Sequence, residues 1–105
     1  MFHSKHFNIG RVYMTVGIKA AMENNEQFVQ QIFDSLKRYC KMDWGELDEE
    51  DKKANDFALE NTDDIYLLGA YKTSKGLIYI ITNRVSEEVG KNQINATTVL
   101  FPEER

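Results

Sequence analysis

Residues 65–82 read IYLLGAYKTSKGLIYIIT. Two runs rich in Ile, Leu and Tyr flank Thr73-Ser74-Lys75-Gly76, a polar tetrapeptide that ends in glycine. Apolar runs of strand length around such a turn predict a β-hairpin, with strands over Ile65–Lys72 and Leu77–Thr82. A further strand follows over Thr97–Phe101, and Pro102 stops it because proline cannot donate to a ladder. Three successive strands late in the chain favour antiparallel pairing.

Working back toward the start, Asp48 caps a predicted helix whose first turn holds Glu49, Glu50 and Asp51, where negative charge meets the helix dipole. The apolar side of this helix is thin: Ala54, Phe57 and Ala58, with Leu47. Before it, Asp43-Trp44-Gly45 reads as a turn. Earlier still, Phe28, Val29, Ile32, Phe33, Leu36, Tyr39 and Cys40 recur at helical spacing, and Asn24 with Gln27 forms a capping pair ahead of them. From Arg11 the pattern alternates, with Val12, Met14, Val16 and Ile18 on one side, so a half-buried strand is expected. Gly17 within it marks a bulge or a close approach. Met1–Gly10 is polar and irregular, and Asn83–Asn95 is a polar connection carrying Glu87-Glu88 and Gly90.

The expected fold is α+β in the order β-α-α-β-β-β. A four-stranded, mainly antiparallel sheet carries two helices on one face. Residues 1–10 form a flexible lead and residues 11–105 a single domain, as a chain of 105 residues requires.

No apolar run approaches the roughly 20 residues of a membrane span; the longest is Leu77–Ile81. The first ten residues lack the apolar stretch of a signal peptide. The single cysteine, Cys40, excludes an internal disulfide. The expectation is a reduced, cytoplasmic chain, in which the Asn95-Ala96-Thr97 glycosylation pattern has no meaning. Net charge is −4 but unevenly spread: between Asp43 and Asp64 ten acids face two lysines, and the first 22 residues hold no acid.

Few constellations suggest chemistry. His3 and His6 are three apart, but a metal site needs three or four fixed ligands. The acids of Asp43–Asp51 do not follow a Ca²⁺-loop pattern. Cys40 falls on the apolar face of its helix, far in sequence from both histidines, and reads as a small hydrophobe. The six glycines are scattered, with no phosphate-binding pattern. Tyr66, Tyr71 and Tyr79 would make a stacking platform if they shared a sheet face. Dispersed lysines and a pI near 5.1 argue against direct nucleic-acid binding.

Asp43-Trp44-Gly45-Glu46-Leu47, Glu49-Glu50-Asp51-Lys52 and Asn55-Asp56-Phe57-Ala58-Leu59 form one distinctive block. Gly10, Thr15-Val16-Gly17-Ile18, Ile80-Ile81-Thr82 and Thr97-Thr98-Val99-Leu100-Phe101-Pro102-Glu103-Glu104 complete it. Together, from Gly10 to Glu104, they resemble a family of small bacterial proteins of plasmids, phages and integrative elements, often labelled plasmid-related protein. The chain departs from that family in ending on Arg105 rather than Tyr and in a longer link into the last strand. The resemblance implies carriage on mobile DNA and an accessory role on host machinery, including inhibition of restriction or CRISPR systems. A restriction-subunit label used in that family finds no methyltransferase or nuclease motif here.

These observations predict a non-enzymatic binding module with no cofactor, no catalytic residue and no metal ligand. Its binding residues are Asp43, Trp44, Glu46, Asp48, Glu49, Glu50 and Asp51, with Trp44 an exposed anchor beside the acids. The expected partner is a basic host protein of the nucleic-acid-binding machinery, with no membrane role. Two alternatives stand beside it. One is a metal-dependent hydrolase or nuclease using Asp43, Glu46 and Asp51; the other is an RNA-binding sheet built on the tyrosines.

Overall fold

The computed structural model describes residues 2–60, 65–86 and 93–105. They form β1 (Arg11–Met14), α1 (Val16–Met22), α2 (Glu26–Cys40), α3 (Glu49–Glu60), β2 (Tyr66–Thr73), β3 (Gly76–Ser86) and β4 (Gln93–Leu100), then a 3-10 turn over Pro102–Glu104. The α+β class is as expected. The strand order is β1-β4-β3-β2. β2, β3 and β4 form an antiparallel meander, but β1 runs parallel to β4, so the sheet is mixed. The three helices between β1 and β2 supply the long crossover that a parallel neighbour requires.

The hairpin reads as predicted: Thr73 pairs Gly76 across Ser74-Lys75. β3 and β4 run further than expected, pairing Ser86 with Gln93, so polar residues of the presumed connection belong to the ladder. Glu87, Glu88 and Gly90, with Asp63 and Asp64, lie outside the described residues.

Two helices were expected, and three are present among the described residues. The alternation over 12–18 breaks at Thr15, whose hydroxyl accepts from the Ile18 amide and caps α1. Val16 therefore stands in solvent, while Ile18 is buried. Gly17 does mark a close approach: the Glu104 carboxylate accepts from its amide at 3.2 Å. Asn25 caps α2 rather than Asn24. Asn24 takes a left-handed φ of 54° in the turn between α1 and α2, a conformation asparagine tolerates.

α2 buries Phe28, Ile32, Leu36 and Tyr39 against one face of the sheet. That face presents Leu67 and Tyr71 from β2, Ile78 and Ile80 from β3, and Val99 from β4, aligned by the register. Each such aliphatic or aromatic side chain contributes roughly 1.5–3 kcal/mol when fully buried. A chain of hydroxyls crosses this core. Tyr39 donates to Thr82 at 2.6 Å, Thr82 and Thr97 lie 2.7 Å apart, and Thr97 donates to the Ile9 carbonyl at 2.6 Å. Because Thr97 spends its one proton on Ile9, Thr82 donates to Thr97, and every proton runs one way. Burial pushes the Tyr39 phenol well above its ordinary pKa.

Residues 2–9 carry no helix or strand, yet they lie against α2 rather than apart from the domain. Ile9 is buried, Ser4 Oγ donates to the Cys40 carbonyl at 2.7 Å, and the Phe7 ring meets Tyr39 edge-on. The apolar residues within this polar stretch, Phe2, Phe7 and Ile9, join or flank the core. The segment expected to be a flexible lead thus packs against the body of the domain.

Candidate functional site

The acidic segment is built onto the free edge of β2. An open sheet edge presents unpaired peptide groups, and here two devices close it. The first follows the end of α2. Asp43 N–H caps the Arg38 carbonyl and Met42 N–H the Tyr39 carbonyl, while Met42 turns left-handed. The chain then runs beside β2, where the Trp44 carbonyl accepts from the Ala70 amide at 3.0 Å and Glu46 N–H donates to the Ala70 carbonyl at 2.7 Å. Gly45 between them has a φ of 75°, and any side chain would strike the Ala70 carbonyl.

The second device is Asn55 on α3. Its amide nitrogen donates to the Leu68 carbonyl at 2.7 Å and its oxygen accepts from the Leu68 amide at 3.0 Å. One side chain thereby satisfies both outward peptide groups of an edge residue, and Asn55 is only 3% exposed. This fixes how α3 is rotated. At about 100° per residue, Phe57 falls about 200° from Asn55, on the far side of the helix. It is 69% exposed. The expected apolar side of α3 is corrected accordingly: Ala54 and Phe57 face solvent, and Asn55, Ala58 and Leu59 face the body.

The acids are displayed outward. Asp48 caps α3 by accepting from Asp51 N–H at 2.8 Å. Asp43 is held by Arg38 through contacts of 2.7 and 3.2 Å, which, with the Gly45 amide, keep its carboxyl below the ordinary pKa. Glu46 lies 3.8 Å from Lys72, and Glu49 3.8 Å from Lys52. Among the described residues, Asp48, Glu50, Asp51, Asp56 and Glu60 reach no cation within ion-pair distance.

Trp44 is not the exposed anchor that the sequence suggested. It is 5% exposed, packed edge-on to Tyr39 at 5.4 Å and near Phe7. Its carbonyl is bonded to the Ala70 amide on the β2 edge, and its ring packs into the core, away from the acids. The exposed aromatic of this region is Phe57, which the sequence assigned to the buried side.

The other candidate sites fare as follows. Asp43, Glu46 and Asp51 do not converge; among the described residues no three His, Cys, Asp or Glu side chains gather as a metal ion would need. The tyrosines divide between faces. Tyr71 is fully buried and donates to the Asp43 carbonyl at 2.7 Å, while Tyr66 and Tyr79 stand on the opposite face. Arg105 lies over both rings at 6.0 and 5.7 Å and donates to the Tyr66 hydroxyl. No platform of three tyrosines forms. Cys40 is buried as expected, and burial pushes its thiol up, away from the nucleophilic thiolate. His3 and His6, remote in sequence, do share a surface cavity with it. Asn95 is buried and donates to the Asn8 carbonyl. No helix among the described residues is long and apolar enough to cross a membrane.

The chain matches no family model, and no curated protein or solved structure matches it.

Proposed function

We propose that the chain is a non-enzymatic binding module whose working surface is the outer face of α3. The observation that carries this reading is Phe57, a large apolar side chain exposed on an acidic helix whose rotation Asn55 dictates. Glu50 lies seven residues before Phe57 and Glu60 three after it, so both flank it on the outer side. Exposed aromatics ringed by charge are the usual form of an interface anchor. From Asp48 to Glu60 six acids face two lysines, a local charge of −4.

The partner is a basic protein. Carboxylates on α3 draw it in and set the encounter rate, while Phe57 desolvates against an apolar pocket and slows release. A groove that normally holds nucleic acid has the required charge, and occupying it would block that nucleic acid. The resemblance to mobile-element accessory proteins supports host defence machinery, restriction or CRISPR, as the place to look.

The test compares three immobilised proteins against bacterial lysate: the unmodified chain, Phe57→Ala, and Glu50→Lys with Glu60→Lys. A basic protein that salt releases from the first, and that both variants fail to retain, supports the proposal. Retention indifferent to salt and to both variants refutes it. Unfolding free energies within about 0.5 kcal/mol of the unmodified chain show that the exposed substitutions leave the fold intact.

A further inference from the structure

We propose that the cavity between residues 2–6 and the outer side of α2 is a binding site for a nucleoside phosphate. It shares no residue with the face of α3 and does not depend on that reading. The cavity measures about 760 Å³, within the range of small-molecule sites. Gln30, Phe33 and Lys37 on α2 and the C-cap residue Lys41 line it, at three- and four-residue spacing that forms one stripe. Phe2 and Lys5 line it from the lead segment. That segment is fastened in place: Ser4 is buried on the Cys40 carbonyl, and the Phe2 ring rests 5.7 Å from Phe33.

Three lysines meet here, and no carboxylate lines the cavity. Among the described residues none of Lys5, Lys37 and Lys41 has an acid within ion-pair distance. Asp34, on the same helix, accepts instead from Gln30 at 2.9 Å. Some of this positive charge answers the carbonyl end of α2. That end amounts to about half a negative charge, against three ammonium groups, so most of the positive charge is left for a ligand. Clustered lysines suit a phosphate, which takes several point charges without demanding planar geometry. Phe2 and Phe33 add apolar ring surface beside the lysines. A bare anion has no use for it, whereas a base stacks on it. Both halves of the wall are used only by a ligand that joins an anion to a flat ring.

Calorimetric titration of the full chain with ADP, adenosine and pyrophosphate tests this. ADP is expected to bind saturably, more tightly than pyrophosphate, with adenosine weakest. Lys37→Gln with Lys41→Gln should weaken ADP by about tenfold or more, at unchanged far-ultraviolet circular dichroism. Should that pair disturb the end of α2, Lys5→Gln on the irregular segment reads the same charge. Phe33→Ala should bring ADP down to the affinity of pyrophosphate. Absence of saturable ADP binding overturns the proposal. So does ADP binding that survives the lysine substitutions, or pyrophosphate binding as tightly as ADP to the unmodified chain, which marks an unspecific anion patch.

Discussion

Replacing Asn55 with leucine removes the side chain that closes the β2 edge while nearly keeping its shape. Two hydrogen bonds of 2.7 and 3.0 Å disappear, and both peptide groups of Leu68 remain covered by α3. A buried group left unpaired costs about 1–3 kcal/mol. Two such groups give about 2–6 kcal/mol, and the leucine returns about 1.5–3 kcal/mol by its own burial. The expected net loss is about 2 kcal/mol, equivalent to a fall of about 8–16 °C in the midpoint for a domain of this size. Urea unfolding followed by circular dichroism measures it, and an unchanged slope shows that the loss lies in the native state. Asn55→Asp discriminates further: the carboxylate accepts from the Leu68 amide but cannot donate to its carbonyl, so it should also destabilise. A leucine variant with an unchanged midpoint, or an aspartate variant as stable as the unmodified chain, would refute the clamp and with it the outward placement of Phe57.

Three other outcomes are expected. Thr82→Val should cost about 1–3 kcal/mol, because the Tyr39 hydroxyl keeps only the 3.4 Å contact to the Leu67 carbonyl; a valine variant of equal stability would contradict the one-way hydroxyl chain. The Glu104 carboxylate is held below its ordinary value of 4.5 by the Phe101 amide, the Thr15 hydroxyl and the Gly17 amide. Its contribution is therefore present above that value and is lost as pH falls through the folded pKa. Glu104→Gln should flatten stability against pH below 4.5, and an acid limb of unchanged slope would count against the latch. Cys40, buried and with its thiol pKa raised, should react with an alkylating reagent far more slowly in native buffer than in urea, and equal rates would place it in solvent.

What the sequence revealed depended on how local the cause was. α2 was legible because its burial follows its own period, from Phe28 to Cys40. The hairpin was legible because Ser74-Lys75-Gly76 dictates its turn within three residues. α1 was hidden because a period of two also fits Val12 to Ile18, and only the Thr15 cap separates the readings. The rotation of α3 was not legible at all. A buried asparagine opposite an exposed phenylalanine makes sense only once β2 exists and Leu68 offers its peptide groups. Trp44 was misplaced for a related reason: the acids around it announce a wet surface, while its bond to the β2 edge and its packing on Tyr39 and Phe7 commit it to the core. The lysine-lined cavity was out of reach because Lys5 and Lys41, which both line it, are 36 positions apart in sequence, the same separation that the Ser4–Cys40 bond spans.

The parallel pairing of β1 has a kinetic consequence. Arg11 aligns with Ala96 and Met14 with Val99, so the earliest strand finds its neighbour in the latest one. On a ribosome, Arg11–Met14 must wait until Leu100 has emerged before it can enter the sheet. Closing so long a chain segment is entropically slow, and during synthesis the nascent polypeptide must keep Val12 and Met14 from engaging other surfaces. Moving β1 behind β4 by circular permutation would shorten that wait and should speed folding without altering the finished sheet.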